Sequence, residues 1–168
     1  MRFTDKVAII TAFANGIGRA TAEIMAREGA IVVGVDNHPD RLETAVAALR
    51  GIGGVAHGRL CDALDQGQVD AMVASVENEF GAADILVNAV GGSTIIANSS
   101  ANVDELTFDE WQRLIAFNLN GTFLFTHAVV PMGWRMAVTE LARPSHPAAR
   151  ASGSRRAGRG STGTAACR

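Results

Sequence analysis

The sequence predicts a three-layer α/β/α domain built on a parallel sheet, and three observations predict it. Short β-branched apolar runs alternate with segments of helical periodicity over residues 6–131. A glycine-bearing turn, Thr11 to Gly18, joins the first of these runs to the first helix, and an aspartate, Asp36, closes the second run. The length, 168 residues with 48% hydrophobic and 19% charged, suits a single domain that buries a real core.

The elements follow in order. Residues 6–11 form the first strand, and residues 16–28 the first helix, with Ile17, Ala20, Ile24 and Met25 expected on its buried face. Residues 30–36 are a second, buried-type strand. Pro39 opens the next helix in its first turn, where a missing N–H costs nothing, and Leu42, Val46 and Leu49 share one side of it. Residues 53–61 give a weaker third strand. Asp65 caps a helix through Val69, Met72, Val73 and Val76 to Phe80, and residues 83–88 make the fourth strand. Thr107 and Glu110 form a capping box ahead of a long helix containing Trp111, Leu114, Ile115, Leu119 and Phe123.

The pattern stops at Pro131. Beyond it the only acid is Glu140, set against Arg135, Arg143, Arg150, Arg155, Arg156, Arg159 and Arg168. Glycine, alanine, serine and proline dominate there, so residues 132–168 are expected to be an irregular arginine-rich tail. A shift of reading frame would account for the change of character. No nucleic-acid partner is expected, because no aromatic residue interleaves these arginines after Trp134. The first residues lack the apolar run of a signal peptide, and no run approaches the roughly 18 apolar residues that span a bilayer, so a cytoplasmic protein without a membrane partner is expected. Cys61 and Cys167 lie far apart and the four histidines show no ligand spacing, so neither a disulfide framework nor a metal site is expected.

The chemistry sits at the strand ends. The turn Thr11-Ala12-Phe13-Ala14-Asn15-Gly16-Ile17-Gly18 precedes a helix N-terminus, whose free N–H groups and dipole favour a pyrophosphate. Asp36 stands about 20 residues after these glycines, where its carboxylate would accept hydrogen bonds from an adenosine ribose and repel a 2′-phosphate. Together they point to a dinucleotide site that prefers NAD to NADP.

These motifs resemble the short-chain dehydrogenase/reductase family, over residues 3–131. That family carries Thr-Gly-x-x-x-Gly-Ile-Gly in the phosphate turn, and here Ala12 replaces the first glycine. The resemblance implies a Rossmann-type fold, truncated after the fourth strand and long helix. It assigns Ala12, Asn15, Gly16, Ile17, Gly18, Asp36, Asp62, Asn88, Ala89 and Gly91 to the cofactor. Asp62 would touch the adenine, Asn88 would tie neighbouring strands together, and Gly91 would line the pocket. Phe117-Asn118-Leu119-Asn120-Gly121-Thr122-Phe123 is similar to the family's central helix, which gives Asn118 the support of a proton-relay water. Residues 93–102 would flank a substrate pocket whose substrate the sequence does not name.

The family next places a catalytic serine and Tyr-x-x-x-Lys, in which the phenol exchanges a proton with the substrate oxygen. These 168 residues contain no tyrosine, and their one lysine is Lys6. The resemblance therefore implies an oxidoreductase that moves hydride between NAD and a secondary alcohol or ketone, with these residues inactive. A non-catalytic dinucleotide-binding module and a non-functional fragment are the alternatives. The resembled fold leaves residues 83–88 as an open apolar edge, and in the family the long helix helps form a subunit interface. Self-association is therefore expected, through that edge and through exposed Leu114, Phe117 and Phe125 or their equivalents.

Overall fold

The computed structural model describes residues 1–132; the expectations for the tail from residue 133 onward lie outside the described residues. Four strands, β1 (Val7–Thr11), β2 (Ile31–Asp36), β3 (Val55–Leu60) and β4 (Ile85–Val87), form one parallel sheet in the order β3-β2-β1-β4. Each crossover carries a helix: α1 (Gly16–Arg27), α2 (Pro39–Gly51) and α3 (Gln66–Phe80). The expected parallel α/β/α architecture is present.

Strand parity divides the core in two. Ala8, Ile10 and Val32 pack under α1 and α2 with Met25, Leu42 and Leu49. Ile9, Val33 and Val35 face the other way, against Val69, Val73 and Val76 of α3 and against Phe125 and Val129. All five residues of β1 are buried, as befits a strand covered on both faces.

The first helix turns a different face inward from the one its large residues mark. Ile17 is 79% exposed, Ile24 53%, and Ala20 is also exposed, whereas Gly18, Ala22, Met25 and Ala26 are buried. The reason is the distance between layers. A Cβ on Gly54 would stand 2.8 Å from the Ala26 Cβ, so at Ala26 the helix lies too close for a larger side chain, while Met25, expected on the buried face, does pack into the core.

The long helix is interrupted. After the loop that follows β4 come α4 (Phe108–Ile115), a π-helical turn (Ala116–Asn120), α5 (Gly121–Val129) and a closing 3₁₀ turn (Val130–Met132). The capping box forms as expected, Thr107 Oγ1 accepting from Glu110 N and Glu110 Oε2 accepting from Thr107 N. In α5 the buried residues recur every fourth position, at Gly121, Phe125 and Val129. Phe125 is therefore wholly buried instead of exposed, and Leu114 and Phe117 are half-buried. The exposed apolar stripe runs through Phe108, Trp111, Ile115, Leu119 and Phe123. A π turn holds an extra residue, which displaces the face that a uniform helical period assigns.

The same run corrects the expectation that nothing here is apolar enough for a bilayer. Residues 108–132 make a 25-residue helical stretch that contains an 18-residue window with a mean hydropathy of 1.3, enough by length and composition to cross one. Asparagines and threonines break it into short apolar pieces, so a search for an unbroken apolar run misses it. Its buried side, with Phe125 and Val129, belongs to the sheet's core, while Phe108, Trp111, Leu119 and Phe123 stay exposed.

β3 is the sheet's outer edge on one side, with Val55 and Leu60 exposed. Cys61 N donates to Asp36 O, so by strand parity the Ala56 and Gly58 carbonyls point away from β2. Both are occupied: Arg50 Nε donates to Ala56 O at 3.0 Å and Arg59 Nη1 to Gly58 O at 3.1 Å. Two arginines thus blunt this edge against another strand.

Candidate functional site

The C-terminal ends of β1, β2, β3 and β4 meet around a cleft of about 130 Å³. Thr11 and Ala12 form one wall, Asp36 and Asp62 another, and Val90 with Gly91 a third. In an open parallel sheet this is where ligands bind, since the turns and helix N-termini all open there.

The phosphate turn is built first. Asn15 caps α1, its Oδ1 accepting from Gly16 N at 2.7 Å, and no acidic side chain stands in the helix's first turn to oppose an anion. Gly18 has no room for a side chain: a Cβ would meet Thr11 O at 2.9 Å and Ala12 O closer still. Ile17 presents its side chain to solvent at the mouth of the turn. Ala12 adopts φ 47°, the left-handed region that an L-residue disfavours by about 1–2 kcal/mol. Ala12→Gly is accordingly expected to raise stability by about 1 kcal/mol, against the usual sense of an alanine-to-glycine change. Thermal and urea unfolding check this, and a loss of stability would contradict the strained turn.

Asp36 uses both oxygens on backbone. Oδ2 accepts from Ala14 N at 3.0 Å and Oδ1 from His38 N at 3.1 Å, so the carboxylate that faces the cleft also holds the phosphate turn. Each oxygen retains acceptor capacity for a ribose hydroxyl. Asp62 stands across from it at the end of β3, its Oδ1 accepting from Leu64 N. Beneath them lies Cys61, whose thiol is pushed up to about 11, by burial first and then by Asp62 and Asp65. At neutral pH it stays protonated and serves as an apolar wall.

The loop after β4 is pinned from two sides. Thr11 Oγ1 accepts from Ala89 N at 2.9 Å and from Val90 N at 3.3 Å. Asn118, placed by the π turn, clamps Gly92: its Oδ1 accepts from Gly92 N at 2.8 Å and its Nδ2 donates to Gly92 O at 3.0 Å and to Leu114 O at 2.8 Å. A Cβ on Gly91 would come within 2.7 Å of that Oδ1, so a glycine there admits the asparagine. Asn88 reaches α5 instead of a neighbouring strand, donating to Thr126 Oγ1 at 3.3 Å. The tie between β1 and the end of β4 is made by Thr11.

The structure thus brings Ala12, Asp36, Asp62 and Gly91 onto one cleft, with Asn15, Gly16, Ile17 and Gly18 at the adjoining helix start and Ala89 on the loop beside it. Asn118 lies behind the loop, its side-chain amide occupied by backbone. Sequence reasoning assigned no separate role to Thr11, although a hydroxyl among buried strand residues is a signal, and it overlooked Asn37 and Phe117, which also line the cleft. Among the described residues no group of histidine, cysteine and carboxylate side chains is arranged to hold a metal.

Comparison with known proteins agrees with this geometry. The short chain dehydrogenase family profile matches residues 6–138. D-threitol dehydrogenase of Mycolicibacterium smegmatis is 39% identical over 128 residues, covering 76% of this chain and 47% of the relative. A 3beta-hydroxysteroid dehydrogenase of Mediterraneibacter gnavus is 37% identical over 122 residues, covering 73% and 43%. Among solved structures, a metagenomic short-chain oxidoreductase in complex with NADP superposes with a TM-score of 0.68 at 28% identity, covering 79% of this chain and 58% of that one. The chain spans about half the length of the curated relatives it matches. A parallel sheet ending in this turn, this cleft and this π turn, matched over most of its length by that family's profile, makes the chain a member of the short-chain dehydrogenase family.

Proposed function

We propose that these residues bind NAD(H), in preference to NADP(H), and do not themselves complete hydride transfer. The observation that carries the proposal is Asp36 at the lip of the cleft, held in place by Ala14 N and His38 N. A carboxylate fixed there accepts from ribose hydroxyls and meets a 2′-phosphate with like charge. The adenosine would occupy the cleft between Asp36 and Asp62, and the pyrophosphate the start of α1. NADH is expected to bind about tenfold or more tightly than NADPH, since like charges at close range cost at least that much. Calorimetric titration with both cofactors measures it, and tighter NADPH binding would overturn the role of Asp36. The NADP in the metagenomic relative belongs to that protein, which shares 28% of its residues with this one.

We also propose that two copies of the chain associate through the stripe of Phe108, Trp111, Ile115, Leu119 and Phe123. Its length and apolar character support this; the β3 edge is blunted by arginines, which leaves the β4 edge as the competing route. Light scattering after size exclusion is expected to show a dimer or larger species, and Leu119→Glu to shift it toward monomer. A compact wild-type monomer with a cooperative melt would refute this association.

A further inference from the structure

We infer that Phe13 is a positioning residue of the phosphate turn: its ring, seated against Gly34 of β2, holds the turn in its anion-binding conformation. The inference rests on the dinucleotide reading above and extends it to a side chain that faces away from the cofactor.

Phe13 is fully buried although it sits in the middle of the turn. A Cβ on Gly34 would fall within 2.6 Å of Phe13 Cδ2 and closer still to Cγ and Cδ1, so the ring lies directly over the bare Cα of that glycine. Phe13 N donates to Val35 O at 3.1 Å, and the next residue, Ala14, donates to Asp36 Oδ2 at 3.0 Å. Three consecutive residues of β2, Gly34, Val35 and Asp36, thereby grip two consecutive residues of the turn.

The grip has a function because of the residue before it. Ala12 is held at φ 47°, a conformation its own side chain disfavours, and its carbonyl is the one packed against Gly18 at the start of α1. Backbone strain of this kind persists only where the surroundings over-determine it. Among the described contacts, the buried aromatic ring is the largest apolar group of the turn, and it sits in a notch that no other side chain at residue 34 would leave open. Removing the ring frees the turn to sample conformations in which its N–H groups no longer converge on one anion. Apparent affinity then falls by the fraction of the population that remains competent. Most of the adenosine cleft, Asp62, Leu64 and Val90 included, lies outside the turn, so the loss is greatest for ligands that carry a phosphate.

The test compares NAD⁺, ADP and adenosine binding to the full chain and to Phe13→Ala, at a temperature where circular dichroism shows both folded. The Kd for ADP and NAD⁺ is expected to rise about tenfold, as when a tenth of the population stays competent, while that for adenosine stays within about twofold. Amide hydrogen exchange supplies a readout without ligand: the Phe13 and Ala14 amides are expected to exchange faster, with β1 and β2 unchanged. Where Phe13→Ala does not fold, Phe13→Leu, which keeps most of the volume, is expected to show the same pattern with a smaller change. ADP and adenosine weakened equally, or ADP unchanged with unaltered exchange at Phe13 and Ala14, would overturn the inference. A wild-type chain that binds neither ADP nor adenosine would overturn the dinucleotide reading and this inference with it, a result distinct from a wild type that binds ADP and a variant that binds it as well.

Discussion

Mixed with NAD⁺ and a range of secondary alcohols, or with NADH and the matching ketones, these 168 residues are expected to show no turnover above background. Hydride transfer between nicotinamide and a carbonyl carbon requires a proton to reach or leave the substrate oxygen. A positioned general acid contributes about 10²–10⁴ in rate, and the orientation of the reacting groups contributes more. The composition contains no tyrosine. The one lysine, Lys6, is committed at the opposite end of β1, where its Nζ donates to Asp84 Oδ1 at 2.8 Å. Asn118 has no proton to exchange near neutral pH, and its amide is already bonded to Gly92 and Leu114. A steady-state assay by nicotinamide absorbance decides the matter. Turnover that Asp36→Ala abolishes would show that acid and base reside elsewhere in these residues.

The second large effect is expected at Gly18. An added Cβ there would strike Thr11 O at 2.9 Å and Ala12 C at 2.9 Å, and both are backbone atoms that no rotamer change can move aside. Gly18→Ala should therefore cost about 3 kcal/mol, the upper part of the range for overpacking, and lower the melting temperature by roughly 10 °C. Dinucleotide binding should be lost as well, because the displaced carbonyls belong to the phosphate turn. Gly51→Ala provides the contrast. It lies in the last turn of α2 with open space around its Cα, and alanine there should be neutral or stabilising by about 0.5–1 kcal/mol. Unfolding curves for the two variants separate steric exclusion from a general aversion to changing glycine, and equal effects would refute the close packing of α1 on the turn.

Much of this fold was legible before any coordinates. The four strands, the three crossover helices and the capping box at Thr107 are local events, governed by β-branched runs, caps and apolar spacing within a dozen residues. The site was legible for the same reason. Ala12, Asp36 and Gly91 sit at the ends of successive strands, and a parallel sheet brings such ends together whatever its interior contains.

Other features depend on distances between elements, which no local pattern encodes. Periodicity marks a buried face on α1 but not how near the sheet lies. The face that packs is the one with Gly18, Ala22, Met25 and Ala26, so of the residues expected there Met25 is buried while Ile17 and Ile24 face water. The π turn at Ala116–Asn120 moves Phe125 into the core and leaves Leu119 and Phe123 outside, a displacement that a uniform helical period cannot anticipate. Thr11 and Phe13 gain their roles from residues far off in the chain, Ala89 and Gly34, which reach them only when β4 and β2 flank β1. Local chemistry along the chain settles which residues form strands, helices and the phosphate turn, because each depends on near neighbours. The close approach of layers settles which face of a helix is buried and which side chain holds the turn, because a methyl group's worth of space between distant segments decides both.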